Sequence, residues 1–268
     1  KKQRLKRKYM LQIWITGASS GIGEALAKKY SLLGNRIILS ARNEQELTRV
    51  KNECAHPENC FIVPLDLSDP KSLAVAADKV LQQFKYVDIL VNNGGISQRS
   101  LIKETPISVD RKIMEVDYFS GVFLTKAVLP SMLERHSGHI VAVSSIVGIF
   151  GFPHRSAYSA AKHAMHGFYE TLRAENEQDG ISVTVVCPGR ILTQVSLHAL
   201  TKDGREYGIM DHAQANGISA TKCASRIIQA VSKKKKEIYV CRKDVWMIYF
   251  KRYIPAIYYY LVSKVQPN

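Results

Sequence analysis

Seven short apolar runs rich in β-branched residues punctuate the chain: "LQIWIT", "RIILS", "CFIVPL", "VDILVN", "HIVAVSS", "ISVTVV" and "EIYV". A longer stretch of helical periodicity separates each from the next, which is the alternation of βαβ units. Runs that are apolar on both faces belong to a parallel sheet covered on both sides. Right-handed crossovers then wind the chain into a single doubly wound α/β domain of three layers. No repeat and no Pro/Gly linker divides it. The catalytic domain is expected over residues 1–240, opened by a basic lead at 1–9, with an aromatic and basic extension over 241–268.

With 268 residues, 46% of them hydrophobic, the chain can bury one large core. The formal net charge of +15 is concentrated at "KKQRLKRKY" and "KKKK", with further Lys and Arg toward the end. End-loaded charge suits an anionic membrane surface. Without interleaved readout motifs, no nucleic-acid partner is expected. Five cysteines form no CxxC pair and no metal spacing with the eight histidines, so free thiols in a reducing compartment and no metal are expected. There is no Asn-x-Ser/Thr acceptor and no apolar run long enough to span a bilayer. The expectation is a cytoplasmic chain, or one on the reducing face of a membrane, and not a secreted one.

"TGASSGIG" lies between the first strand and the first helix, where ligands of open α/β sheets bind. The spacing of Gly17, Gly21 and Gly23 lets backbone amides approach a pyrophosphate at a helix N-terminus. Further on, in "SAYSAAKHA", Tyr158 and Lys162 stand one helical turn apart and share a face. A free phenol titrates near pH ~10 and is a poor base at neutral pH, whereas a neighbouring ammonium favours phenolate. Ser145 closes the strand "HIVAVSS" on the same rim, where its hydroxyl can hold a carbonyl oxygen.

From "TGASSGIG" through "NNGG", "VSS", "YSAAK" and "PG", roughly Met10 to Val240, the sequence resembles the classical short-chain dehydrogenase/reductase family. The resemblance implies a Rossmann-type fold, a nicotinamide dinucleotide and reversible carbonyl reduction. It makes Tyr158 the proton donor or acceptor, Lys162 the ligand of the nicotinamide ribose, and Ser145 the residue that orients the substrate oxygen. Gly17, Ser19, Ser20, Gly21, Ile22 and Gly23 would line the pyrophosphate. Asp66 and Leu67 would meet the adenine, and Asn92 and Gly94 would line its ribose side. Pro188, Gly189, Ile191 and Thr193 would receive the carboxamide. After "RIILS" no acid stands where an NAD-preferring member would hold both ribose hydroxyls, and Arg42 can pair with a 2′-phosphate, so NADP(H) is expected over NAD(H).

Two positions depart from the family pattern. Where a helix Asn usually holds a water of the proton relay, "MEVDYFSG" places Asp117, which adds negative charge near Lys162 and cannot donate unless protonated. Gly94 stands where "NNAG" members carry Ala. The substrate side, around His198, Tyr207, Met210, Phe150 and Phe152, suggests an apolar pocket for a lipophilic alcohol or carbonyl. The aromatic tail resembles that of the dehydrogenase/reductase member 7 and hydroxysteroid dehydrogenase branch, which implies steroid- or retinoid-like substrates and peripheral membrane association. Pro255 would kink the tail or divide it into two helices. The two long helices before and after the fifth strand would, by resemblance, pair across a two-fold axis in a homodimer or homotetramer. A soluble 3-oxoacyl thioester reductase and a catalytically silent dinucleotide sensor are the alternatives.

Overall fold

In the computed structural model the described residues are 10–265, and the basic lead at 1–9 lies outside them. Seven strands form one parallel sheet: β1 (Gln12–Thr16), β2 (Arg36–Ser40), β3 (Cys60–Ile62), β4 (Ile89–Asn92), β5 (Gly138–Val143), β6 (Ile181–Pro188) and an edge strand, Glu237–Val240. Their order in space is β3-β2-β1-β4-β5-β6 and then the edge strand. The chain therefore reverses its direction of travel across the sheet between β1 and β4, the switch point at which such sheets bind ligands. All seven strands coincide with the seven apolar runs.

All five residues of β1 are buried, as they must be when both faces are covered. On one face α1 (Gly21–Leu32) and α2 (Glu44–Asn52) press Leu26 and Leu47 onto Ile13, Ile15 and Leu39. On the other, α3 (Pro70–Phe84) joins a segment comprising α4 (Ile107–Met114), a π-turn at Glu115–Phe119, and α5 (Ser120–Glu134). With α6 (Ser156–Asn176) they pack Leu73, Leu124, Met165 and Tyr169 against Trp14, Ile38 and Leu90. A two-residue ladder, β7 (Ile191–Leu192) with β8 (Ile218–Ser219), brackets the short α7 (His212–Ala215). It is too short to carry an alternation signal in sequence. After β8 come α8 (Ala220–Ser232) and the edge strand, numbered β9.

The tail forms two helices, α9 (Val245–Tyr253) and α10 (Pro255–Ser263), divided where Pro255 supplies a preset first-turn φ and lacks an N–H. Ile248 and Tyr258 join the main core, and the Tyr258 hydroxyl donates to Gly151 O at 2.6 Å. Among the described residues no helix is long and apolar enough to cross a membrane.

His139 on β5 is buried between strands, 2.8 Å from Thr184 Oγ1, while the Thr184 hydroxyl donates to Lys235 O. Thr184 therefore accepts, and Nε2 of His139 carries the proton of a neutral ring. Burial, helped by the Lys234 charge, pushes His139 down to about 4. Because the folded value lies below the unfolded one, the unfolded chain takes up the proton first, and stability falls as pH drops from about 6.5 toward 4. Urea unfolding of the wild type should lose about 2 kcal/mol between pH 7 and pH 5 from this group. His139→Gln should remove that part of the pH dependence.

Candidate active site

The carboxyl ends of β1, β4, β5 and β6 meet the N-terminus of α1 along one rim. Gly17 and Gly21 turn the chain there with φ of +63° and +57°, the left-handed region that favours glycine. A Cβ on Gly23 would lie 2.2 Å from Gly17 O, so the turn can close only around glycine. Ser20 stands at the N-cap position but makes no side-chain cap bond. The first-turn amides of Gly21, Ile22 and Gly23 thus keep the unmet donors and positive dipole end that suit a phosphate, and the loop fits the pyrophosphate of a dinucleotide. Ser19 lies beside them and its carbonyl accepts from Arg49 at 3.3 Å.

The loop is held from β4. Thr16 Oγ1 accepts from the backbone N–H groups of Asn93 and Gly94, each at 3.0 Å, and the Asn93 amide donates to Thr16 O at 2.9 Å. Asn92, expected on the adenine-ribose side, instead turns its side chain into the core, donating to Thr125 Oγ1 and Tyr169 Oη at 3.0 and 2.9 Å. Strand alternation explains the exchange, since neighbours in β4 point to opposite faces. Asn93, which the motif reading passed over, takes the rim. Gly94 sits against Leu67, whose Cδ1 would lie 2.4 Å from an added Cβ.

Beyond β2, Ala41 is followed by exposed Arg42. Asp66 accepts from the Ser68 N–H and hydroxyl at 2.9 and 2.7 Å. Partial burial would raise its pKa, but these bonds and the charges of Arg42 and Lys112 hold it below the usual carboxylate range. At the far end of the rim, Ser145 donates to Pro188 O at 3.4 Å. Thr193 accepts from Gln214 at 3.0 Å, and its methyl would lie 3.0 Å from a Cβ on Gly21. The fold therefore sets Thr193 against the glycine loop and Pro188 against Ser145, while Gly189 faces Cys241 and Asp244.

Lys162 is buried, with Nζ 5.5 Å from the centroid of the half-buried Tyr158 ring. It donates to Val143 O at 3.2 Å. Its countercharge is Asp117 on the π-turn: Nζ lies 3.1 Å from Oδ2, and both side chains are almost wholly buried. The other oxygen, Oδ1, accepts from the Ile96 N–H at 2.8 Å. Burial alone would lower the Lys162 pKa, but the Asp117 charge outweighs it and the ammonium is held above its ordinary range. Burial pushes Asp117 upward against the pull of Lys162. The carboxylate has room at Gly95, where a Cβ would lie 3.0 Å from Asp117 Oδ2.

On the substrate side two arginines that the sequence reading missed converge on one acid. Arg99 Nη2 is 3.0 Å, and Arg155 Nη2 3.6 Å, from Asp211 Oδ2. Burial, then the like charge of Arg99, pushes Arg155 down to about 10, and the field of Tyr158 acts on both arginines. They lie in separate loops, where spacing carries no signal. Phe150 is buried and Phe152 packs against the same core. His198 instead faces solvent and pairs with Glu206 at 3.0 Å, while the Met210 sulfur accepts from Ser196 and the Tyr207 N–H donates to Ala199 O.

Residues 12–203 match the family described as short chain dehydrogenase. The chain is 43% identical to the dehydrogenase/reductase SDR family member 7B of Mus musculus, over 97% of this chain and 84% of that protein. It is 45% identical to a dehydrogenase/reductase SDR family protein 7-like of Drosophila melanogaster, over 94% and 79%. A crystal structure of a short-chain dehydrogenase from Streptomyces avermitilis superposes with a TM-score of 0.79 at 29% identity, over 94% of this chain and 96% of that one. The chain belongs to the short-chain dehydrogenase/reductase family, oxidoreductases that work with a dinucleotide cofactor.

Asp117→Asn tests the buried ion pair. With the carboxylate gone, buried Lys162 loses the charge that holds its proton, and a neutral amine no longer favours the phenolate of Tyr158. The acid limb of the pH profile for alcohol oxidation should move to higher pH, and an unmoved profile would deny the ion pair an electrostatic role.

Proposed function

We propose that the protein interconverts an alcohol and a carbonyl on a lipophilic substrate, using NADP(H). The observation that carries this reading is the grouping of Tyr158, Lys162 and Ser145 on the rim that also holds the glycine loop. When bound, the dinucleotide supplies or accepts the hydride. Tyr158 Oη gives a proton to the carbonyl oxygen during reduction and takes it back during oxidation. The Ser145 hydroxyl donates to that oxygen as negative charge develops on it. Lys162 favours the phenolate, and Asp117 keeps Lys162 charged in a buried setting. The preference for NADP(H) rests on Arg42 and on the missing acid after β2.

Oxidation of NADPH against a panel of steroid, retinal, quinone and acetoacetyl thioester carbonyls tests the reading. Tyr158→Phe should lower kcat by about 10²–10⁴-fold with cofactor binding retained. Arg42→Ala should raise KM for NADPH and leave that for NADH unchanged. Tight NADPH binding without any turnover would favour a silent dinucleotide sensor.

A second reading, of the substrate's polar end, rests on Arg99 and Arg155. Two arginines sharing Asp211 beside Tyr158 leave a net positive charge in a poorly hydrated wall, suited to a carboxylate or phosphate on an otherwise apolar carbonyl compound. In the same panel, Arg155→Ala should then raise KM for anionic carbonyls more than for neutral ones.

We infer that the tail meets an anionic membrane on a reducing face. Trp246, Tyr249, Tyr253, Tyr259 and Tyr260 are exposed on α9 and α10, among Lys251, Arg252 and Lys264. Rings with cationic flanks suit the headgroup region. Trp246→Ser with Tyr253→Ser leaves Ile248 and Tyr258 packed. It should cut co-sedimentation with phosphatidylserine vesicles severalfold, and equal binding by wild type and variant would end the reading. Exposed Phe119 and Phe123, flanking the start of α5, support a homo-oligomer through that helix.

A further inference from the structure

A second cluster of reactive side chains lies on the α6 face of the sheet, outside the catalytic machinery. Cys187, next to last in β6, is fully buried. His166 stands one turn beyond Lys162 on α6. Glu237 opens β9 and is paired with Val185, so its side chain emerges on the same face as that of Cys187. Three elements distant in sequence thus bring a thiol, an imidazole and a carboxylate together.

The Cys187 sulfur lies 3.7 Å from His166 Nε2 and 3.6 Å from Glu237 Oε1. All three donor atoms fall within 4.8 Å of one another. Bonds of about 2.3 Å to sulfur and about 2.0–2.1 Å to nitrogen or oxygen set tetrahedral ligand atoms about 3.3–3.6 Å apart. Two edges of the triangle already have that length within about 0.1 Å. The third closes by rotation of the Glu237 side chain, which is 34% exposed and gives access from solvent. Glu170 Oε1 stands 3.7 Å and Glu237 Oε1 3.8 Å from His166 Nδ1, so when Glu237 turns toward Nε2 the Glu170 carboxylate stays to take the Nδ1 proton and aim Nε2 at a cation.

We propose that His166, Cys187 and Glu237 bind one divalent cation of the zinc class, with water as fourth ligand. A thiolate and an imidazole select a borderline-soft ion over magnesium or calcium. The Cys187 S–H releases its proton to solvent as the sulfur–metal bond forms, and thiolate and carboxylate together balance the two positive charges. The ion joins α6 to β9, a strand held on one side only, and sits one residue before Pro188 on the cofactor rim.

The test uses the 268-residue chain after treatment with chelator and thiol reductant, with Co²⁺ as the spectroscopic probe. One equivalent should give a thiolate-to-cobalt charge-transfer band and the visible bands of tetrahedral cobalt, both abolished by Zn²⁺. Zn²⁺ should also raise the Tm. Glu237→Gln, at a position open to solvent, should keep its circular dichroism spectrum and weaken Co²⁺ binding by more than about tenfold. Cys187→Ser should lose the charge-transfer band. A wild-type spectrum identical to that of aqueous cobalt, or a band that survives in Cys187→Ser, overturns the assignment.

Discussion

Every strand of the main sheet runs in the same direction, and most of what the molecule can do depends on that constraint. Each connection must return over a face of the sheet, which buries both faces and forces near-continuous apolar strands such as Gln12–Thr16. It also gathers all the carboxyl ends at one edge. Gly21 and Thr193 come into contact there although they are far apart in sequence, and Ser145 reaches Pro188 across neighbouring strands.

Along that edge the most demanding element is a buried ammonium. A lone charge in such a setting would be neutralised by a shifted pKa, so Lys162 keeps its proton through a buried partner. The π-turn at Glu115–Phe119 points Asp117 at it, while the Ile96 N–H and the bare α-carbon of Gly95 accommodate the carboxylate. The same charge that secures Lys162 opposes its effect on Tyr158. The site therefore balances retention of the cation against its use.

How much was legible in the sequence varied with the kind of signal. Strands with unbroken apolar runs, the glycine turn and the Tyr158 and Lys162 pair were readable because each depends on local spacing. The division of the tail at Pro255 was readable because proline acts through its own backbone. Asn92 and Asn93 were exchanged because adjacent identical residues conceal the strand's alternation. Arg99, Arg155 and Asp211 escaped notice because loops carry no periodicity. The contact between Gly95 and Asp117 joins two positions whose separation in the sequence carries no periodic signal.

The hydrogen bond from the Tyr258 hydroxyl to Gly151 O ties the C-terminal helical pair to the loop that carries Phe150 and Phe152. The tail is consequently braced against the stretch of chain between Ser145 and Tyr158. A force applied to its outer aromatic face is transmitted through one buried ring, Tyr258, to the backbone at Gly151. The C-terminal helices and the loop before α6 share a mechanical linkage, and a displacement of either has a path by which to reach the other.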